Sequence, residues 1–410
     1  MKRIAIKNIC EVYDGPHATP KKTETGPVYL GIDAITEDGM LDSSQFSYLS
    51  KEDYIKWTKR VVPQENDIVF SYEATLGKYA LIPRGFYGCL GRRLAIIRVI
   101  SEEIDAKWLY YYFRSPEWNA FIKNQTVKGS TVDRISVEEF PNYTIPVISL
   151  KNQKKMVAVL EKIDAKIRTN NKINDYLEEM AKTIYDYWFV QFEFPDENGN
   201  PYKSTGGKMS RTKDFGLAPC GWKFGNLYDI AEFINGLACQ KYRPMEDEAS
   251  LPVIKIKEMH DGISSDTERV KATIPEKNIV NTGDILFSWS ASLEVQHWAG
   301  TTGGLNQHIF KVIPKKGYSS SYVYHQLQAY VIKFIQMADA RKTTMGHITS
   351  DHLRQSIIVL PPENIVRNFS QQVDDIHAEI NHINIENHRL SQLRDWLLPM
   401  LMNGQATIED

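Results

Sequence analysis

Apolar residues spaced alternately four and three apart mark two long helices. The first stripe carries Met156, Leu160, Ile163, Ile167, Leu177 and Ile184, and the second Phe369, Val373, Ile376, Ile380, Ile383, Leu390 and Leu397. This spacing lines one face of a helix, and a heptad seam of that kind expects a partner helix. Each position of the first stripe recurs 213 residues later, and each helix follows a short apolar strand, so residues 135–189 and 348–402 repeat one pattern. Asn174 and Asn387 take equivalent seam positions, with Asn171 and Asn384 three residues before them. They fix helix register or form a solvated turn, and the spacing allows both.

The repeat continues upstream with an offset that drifts. Ile9, Glu11 and Gly15 match Ile230, Glu232 and Gly236; Pro27-Val28 matches Pro252-Val253; the turn signal Asp38-Gly39 matches Asp261-Gly262. Asp67-Ile68-Val69-Phe70-Ser71 matches Asp284-Ile285-Leu286-Phe287-Ser288. From Gly91/Gly304 and Val99/Val312 onward the offset is read as 213. The strands correspond and the loops differ. The expected fold is α+β: two globular mixed α/β units, residues 1–150 and 220–362, joined by two long antiparallel coiled-coil helices, 151–190 and 363–404, as a pseudo-twofold internal repeat. Phe194 to Pro201 and Ser204 to Lys208 break every periodicity, so 191–219 reads as a linker.

Composition supports that division. The 410 residues are 42% hydrophobic, enough for two packed cores of ordinary domain size. No run of eighteen apolar residues occurs and the first residues lack a signal-peptide apolar stretch, which removes membrane and export readings. Cys10, Cys89, Cys220 and Cys239 are scattered without C-x-x-C spacing, as expected of a reduced cytoplasmic chain with no zinc site. His377, His382 and His388 lack the spacing of helical metal ligands.

A net charge of −2 carries no basic signature, but the distribution of charge does. From Ala74 to Ser101 there is no acidic residue, against Lys78, Arg84, Arg92, Arg93 and Arg98. From Val295 to Ser350 the only acid is Asp339, against six lysines and arginines. Tyr72 and Trp289 follow the matched strands as base-stacking or strand-end packing residues. Asn306-Gln307-His308 lies opposite Arg93-Leu94-Ala95, and amides pair with adenine where arginine pairs with guanine. Lys128, Ser130, Thr131 and Arg134 correspond to Arg341, Lys342, Thr343 and Thr344, a cationic and hydroxyl set suited to phosphate or to a helix cap. Lys241, Arg243 and His297 complete the candidate DNA-contacting set, which also includes Lys78, Arg92 and Arg93.

Two variable units alternating with two helical repeats resemble the DNA specificity subunit of type I restriction-modification systems. The residues that carry the resemblance are Asp67–Ser71 and Asp284–Ser288, Ile135-Ser136 with Ile348-Thr349, and helix ends at Tyr187-Trp188-Phe189 and Leu401-Met402-Asn403-Gly404, in duplicated order over essentially the whole chain. The resemblance implies a non-catalytic subunit with two target-recognition domains, each reading half of a bipartite double-stranded DNA site. It also implies that the helices set spacing and dock two modification (methyltransferase) subunits, with restriction subunits joining them. No cofactor is expected in this chain; S-adenosylmethionine, ATP and Mg belong to the partners.

Other classes need other residues. An adenine methyltransferase needs an Asn/Asp-Pro-Pro-aromatic segment, and Asn200-Pro201-Tyr202 has one proline. Asp105-Ala106-Lys107 and Asp164-Ala165-Lys166 mimic part of a nuclease motif, of a kind that chance supplies in a chain with 24% charged residues. No phosphate-cradling GxxxxGK[ST] occurs. A coiled-coil adaptor would explain the helices and leave the paired acid-free stretches without a reason.

Overall fold

The computed structural model describes residues 2–36, 38–127, 133–212, 216–264, 266–290, 293–340 and 350–402. They form two compact units. The first runs to Lys166 and takes in the chain from Ser391 onward; the second is Ile167–Leu390.

In the first unit β1 (Cys10–Asp14), β2 (Ile68–Ser71), β3 (Tyr79–Leu81) and β4 (Leu94–Val99) make an antiparallel sheet in the order β1-β4-β2-β3. The strand β2 is buried along its whole length, as a central strand with both faces covered must be. A second, three-stranded sheet pairs Thr23–Leu30 with Ser47–Tyr48 and, in parallel, with Gly88–Leu90. Helix α1 (Ala106–Phe113) packs Trp108, Tyr112 and Phe113 into an aromatic core with Trp118, Phe140, Phe70 and Tyr79. The indole of Trp118 is fully buried, and its N–H donates to the Tyr79 hydroxyl at 2.8 Å, so no donor is stranded there. The first long helix, α2 (Leu150–Tyr185), leaves this unit.

The second unit repeats the plan. Strands β5 (Ala231–Asn235), β6 (Ile285–Ser288), β7 (Glu294–His297) and β8 (Ile309–Pro314) take the order β5-β8-β6-β7, all antiparallel. Its second sheet pairs Ser250–Ile254 with Arg269–Lys271 and, in parallel, with Gly303–Leu305. Helix α3 (Ser320–Ala340) follows, then the second long helix α4 (Glu363–Met402).

Each unit contains a stretch of both long helices, because the seam is continuous with the core beside it. Met156, Val157 and Leu160 share the first core with Leu398, Leu401 and Met402. Ala181 and Tyr185 share the second with Val373, Ile376 and Ile380. Within the second unit the helices run antiparallel through an asparagine layer. The Asn170 side-chain amide donates to Glu386 Oε2 at 2.7 Å and Asn387 Oδ1 at 2.8 Å, Asn174 donates to Asn384 at 2.7 Å, and Asn387 donates to Asn171 at 2.8 Å. The asparagines therefore bond to one another across the seam, with Asn171 on its exposed side. Asn170, 1% exposed, is the seam residue that the stripe reading passed over, although it stands three residues after Ile167. The α2 helix ends in a π turn, Asp186–Val190, whose wider winding buries both Trp188 and Phe189.

The stretch expected to be a linker is packed into the second unit. Phe192 and Phe194 are buried, and the Phe194 ring stacks on Tyr202 at 4.6 Å and on Trp222 at 5.0 Å. Strands Met209–Thr212 and Gly216–Pro219 pair beside them. Aromatic side chains hold together what lacks periodicity.

One joint differs between the units. In the first, the Tyr111 hydroxyl donates to Asp164 at 2.5 Å, and Arg394 Nη1 donates to the same carboxylate at 3.1 Å. In the second, the corresponding helices meet through His325 and His377, whose Nε2 atoms are 3.0 Å apart. His297 completes that cluster, 4.4 Å from the Tyr324 ring and 5.1 Å from His377.

Candidate nucleic-acid interface

Each four-stranded sheet ends in a turn built on the same main-chain hydrogen bonds. The Tyr72 N–H donates to the Arg93 carbonyl at 3.1 Å, and the Trp289 N–H to the His308 carbonyl at 3.2 Å. The Gly91 N–H donates to Leu30, and the Asn306 N–H to Ile254, each the buried last residue of a strand. These bonds make Arg92-Arg93 the counterpart of Gln307-His308, with Asn306 at the place of Gly91. The strand register agrees, since Ile68 faces Ile97 and Ile285 faces Val312. The sequence offset of 213 is thus two residues off here. It holds in the helices, and loops before them absorb the difference.

In the first unit the turn gathers cations around two acids. Arg93 has a left-handed backbone, φ 71°, and its Nε lies 3.0 Å from Glu73 Oε1. A non-glycine residue in that region is held there by its surroundings. Glu73 bridges the main chain of Arg134, and the Ile135 N–H donates to the Tyr72 carbonyl at 2.8 Å. Arg92 and Arg134 are exposed. The Tyr72 phenol is buried near the Asp14 carboxylate, and first burial and then that charge push its pKa up, so it remains a donor. The structure therefore brings Tyr72, Arg92, Arg93 and Arg134 together. Lys78 stands on the far limb of the same turn, its Nζ donating to the Ile35 carbonyl at 3.0 Å.

In the second unit Trp289 lies 5.5 Å from the His308 ring and 6.0 Å from Phe310. Both strand-end aromatics, Tyr72 and Trp289, pack against the core. Gln307 Nε2 is 3.2 Å from His308 Nε2, and both side chains are partly exposed. Asn306, 8% exposed, accepts the His308 N–H at 3.4 Å through Oδ1 and braces the turn from inside. Lys241 and Arg243 are exposed on the loop after Gly236, and Leu237 of that loop bridges Asn306.

One expected contact is corrected. His297 is partly exposed, but its ring packs on Tyr324 and His377 at the edge of the buried His325–His377 pair, and burial lowers its pKa to about 3. A neutral, stacked imidazole offers a phosphate no charge. Lys128, Ser130, Thr131, Arg341, Lys342, Thr343 and Thr344 lie outside the described residues.

Sequence reasoning missed Glu73, which positions Arg93, and a basic cluster beside Asp14. His17 Nε2 is 2.9 Å and Arg60 Nη1 3.9 Å from the Asp14 carboxylate. A cleft of about 220 Å³ there is lined by Pro16, Lys56, Trp57, Lys59 and Arg60. The run Lys56-Trp57-Thr58-Lys59-Arg60 was the available signal. Among the described residues no group of three or more His, Cys, Asp or Glu is placed to hold a metal ion, and no helix is long and apolar enough to cross a membrane. What the two turns offer is hydrogen bonding, stacking and cationic charge at a sheet end, the chemistry that reads base edges and phosphates.

Comparison with known proteins agrees. A family model for the type I restriction modification DNA specificity domain matches residues 1–179 and 219–394. The chain is 23% identical over 423 residues to the type I restriction enzyme MjaIX specificity subunit of Methanocaldococcus jannaschii, covering 99% of this chain and 93% of the relative. It is 22% identical over 331 residues to the HindI specificity subunit of Haemophilus influenzae, covering 68% and 72%. The fold is similar to the crystal structure of a type I restriction-modification S subunit from M. genitalium, with TM-score 0.51, 13% identity, and 98% and 95% of the two chains covered. A repeated frame whose two halves are both matched by the family model shows that this chain belongs to the type I restriction-modification DNA specificity subunits and is a DNA-recognition subunit.

Proposed function

We propose that each unit reads one half of a bipartite, asymmetric DNA site through the turn beside Tyr72 or Trp289. One observation carries this reading: identical main-chain bonds present Arg92-Arg93 in one unit and Gln307-His308 in the other. Arginine suits guanine O6 and N7, and an amide suits adenine, so the half-sites differ. Arg134, Lys241 and Arg243, with Lys128, Ser130, Thr131, Arg341, Lys342, Thr343 and Thr344, supply phosphate contacts. Replacing Arg92→Gln together with Arg93→His is expected to change the base preference of one half-site and leave the other intact, as read by mapping methylated adenines. Unchanged methylation at both half-sites refutes the assignment.

The chain itself is non-catalytic in this reading and acts in the cytoplasm. S-adenosylmethionine, ATP and Mg are held by its partners, two modification subunits and the restriction subunits. Support for two modification subunits comes from the outer faces of the long helices. Ile173, Tyr176 and Met180 form an apolar stripe on α2 that Tyr187 continues in the π turn, with Tyr176 72% exposed. In the repeat, Leu393 stands at the place of Met180 and Trp396 at that of Thr183, and both are exposed. Large apolar side chains on the solvent side of a helix mark an interaction face, and here one lies in each unit. Tyr176→Asp with Met180→Asp should lose one modification subunit, and Leu393→Asp with Trp396→Asp the other. Size-exclusion chromatography coupled to light scattering reads the stoichiometry, and full assembly of both double variants would defeat the prediction.

A further inference from the structure

In the first unit a cleft of about 370 Å³ is lined by three cations and one carboxylate, Lys78, Arg114, Arg394 and Asp395, with Asn119 beside them. Arg114 closes the end of α1, where its Nη1 donates to the Tyr110 hydroxyl at 2.8 Å and its guanidinium lies over the Tyr110 ring at 5.2 Å. Arg394 occupies a seam position of α4 and is 8% exposed, held by Asp164 and Asp395, each at 3.1 Å. A guanidinium is seldom buried in a helix seam, where an apolar residue would serve packing as well.

The second unit shows what packing alone requires. Gln328 Nε2 donates to the Tyr324 hydroxyl at 2.8 Å, the bond that Arg114 makes to Tyr110, so a neutral amide stands in for Arg114. The seam position of Arg394 is held there by Ala181, fully buried. The repeated frame needs neither charge. Asp164 gives Arg394 a partner that only the first unit has, whereas Arg114 forms no ion pair among the described residues, so its charge is the one that packing leaves for a ligand.

We propose that this cleft binds a backbone phosphate of the DNA flanking the half-site read by the first unit, an inference that rests on the DNA-recognition reading above. Its place favours DNA as the source of the anion. The Lys78 N–H donates to Ser71 Oγ and the Ser71 N–H to the Lys78 carbonyl, both at 3.0 Å, so the cleft begins on the turn that carries Tyr72. Guanidinium groups already fixed by other bonds lose little freedom when a phosphate oxygen arrives. The contact adds affinity without reading sequence.

The test uses the full chain assembled with its partner subunits, a duplex carrying the mapped methylation site, and a scrambled duplex. Arg114→Ala is expected to weaken binding to both duplexes by about tenfold and to reduce the slope of log affinity against log salt by about one. Asp395→Asn, at a side chain 67% exposed, keeps an acceptor for Arg394 and removes a repelling charge; it should tighten both by about threefold. Because the second variant leaves the packing alone, a poorly folded Arg114→Ala does not rescue the proposal. Unchanged or weaker binding by Asp395→Asn overturns it. So does an effect restricted to one base identity, which would mean direct reading, or lost assembly at unchanged DNA affinity, which would mean an acidic protein segment. A wild-type complex without preference for the mapped site would instead defeat the recognition reading itself.

Discussion

Gly236→Ala is expected to destabilise the second unit by about 3 kcal/mol and to abolish reading of its half-site, because overpacking against a rigid neighbour has no inexpensive relief. A Cβ on Gly236 would lie 2.0 Å from the Asn306 carbonyl oxygen and 2.3 Å from its carbon. Both are main-chain atoms, so no side chain can rotate away; either β5 or the Asn306-Gln307-His308 turn must shift. The Gly236 N–H donation to Ile309 at 3.1 Å would strain with it. A loss of that size lowers the melting temperature of the affected unit by about 10 °C. Gly15→Ala mirrors the change in the first unit, where the new Cβ would meet the Leu94 carbonyl at 2.3 Å. Methylation mapping should then show each variant losing a different half-site. A variant that melts and methylates as the parent does would show that the close approach is not needed.

Acidification to pH 5 should loosen the second unit well before the first. Burial lowers the pKa of His297 and His325 to about 3 and that of His377 to about 4, from an ordinary 6.5. In the unfolded chain each imidazole takes up a proton as pH falls through 6.5, while in the folded unit each stays neutral. The unfolded state then binds more protons, so stability is complete above pH 6.5 and declines below it, by about 2 kcal/mol per histidine at pH 5. The equivalent joint of the first unit is built from Tyr111, Asp164 and Arg394 and contains no imidazole. Hydrogen exchange followed from pH 7.5 to 5 separates the units. Equal protection in both throughout would contradict the prediction, and His377→Gln, which keeps a hydrogen-bonding partner for His325, should blunt the difference.

The elements that local pattern governs were open to sequence reasoning. The seam of α2 and α4 follows from side chains four and three apart, and β2 and β6 from the short apolar runs Ile68-Val69-Phe70 and Ile285-Leu286-Phe287. Asn170 could have been placed by the same spacing. His297 could not, because nothing in the chain around residue 297 foretells that Tyr324 and His377 enclose it. The segment around Phe194 failed for a related reason: its order comes from rings at 202 and 222, and periodicity is blind to such partners.

The sequence by itself determined the duplication, the two helices and the strands, since these rest on spacing that each copy carries within itself. Tertiary structure decided which residues of the two copies are equivalent at the sheet-end turns. There the offset depends on loops of unequal length, and only the hydrogen bonds from Tyr72 to Arg93 and from Trp289 to His308 count the residues correctly. It also decided where charge is displayed and where it is buried, because a cation's role depends on which carboxylate, ring or cleft the rest of the chain brings beside it.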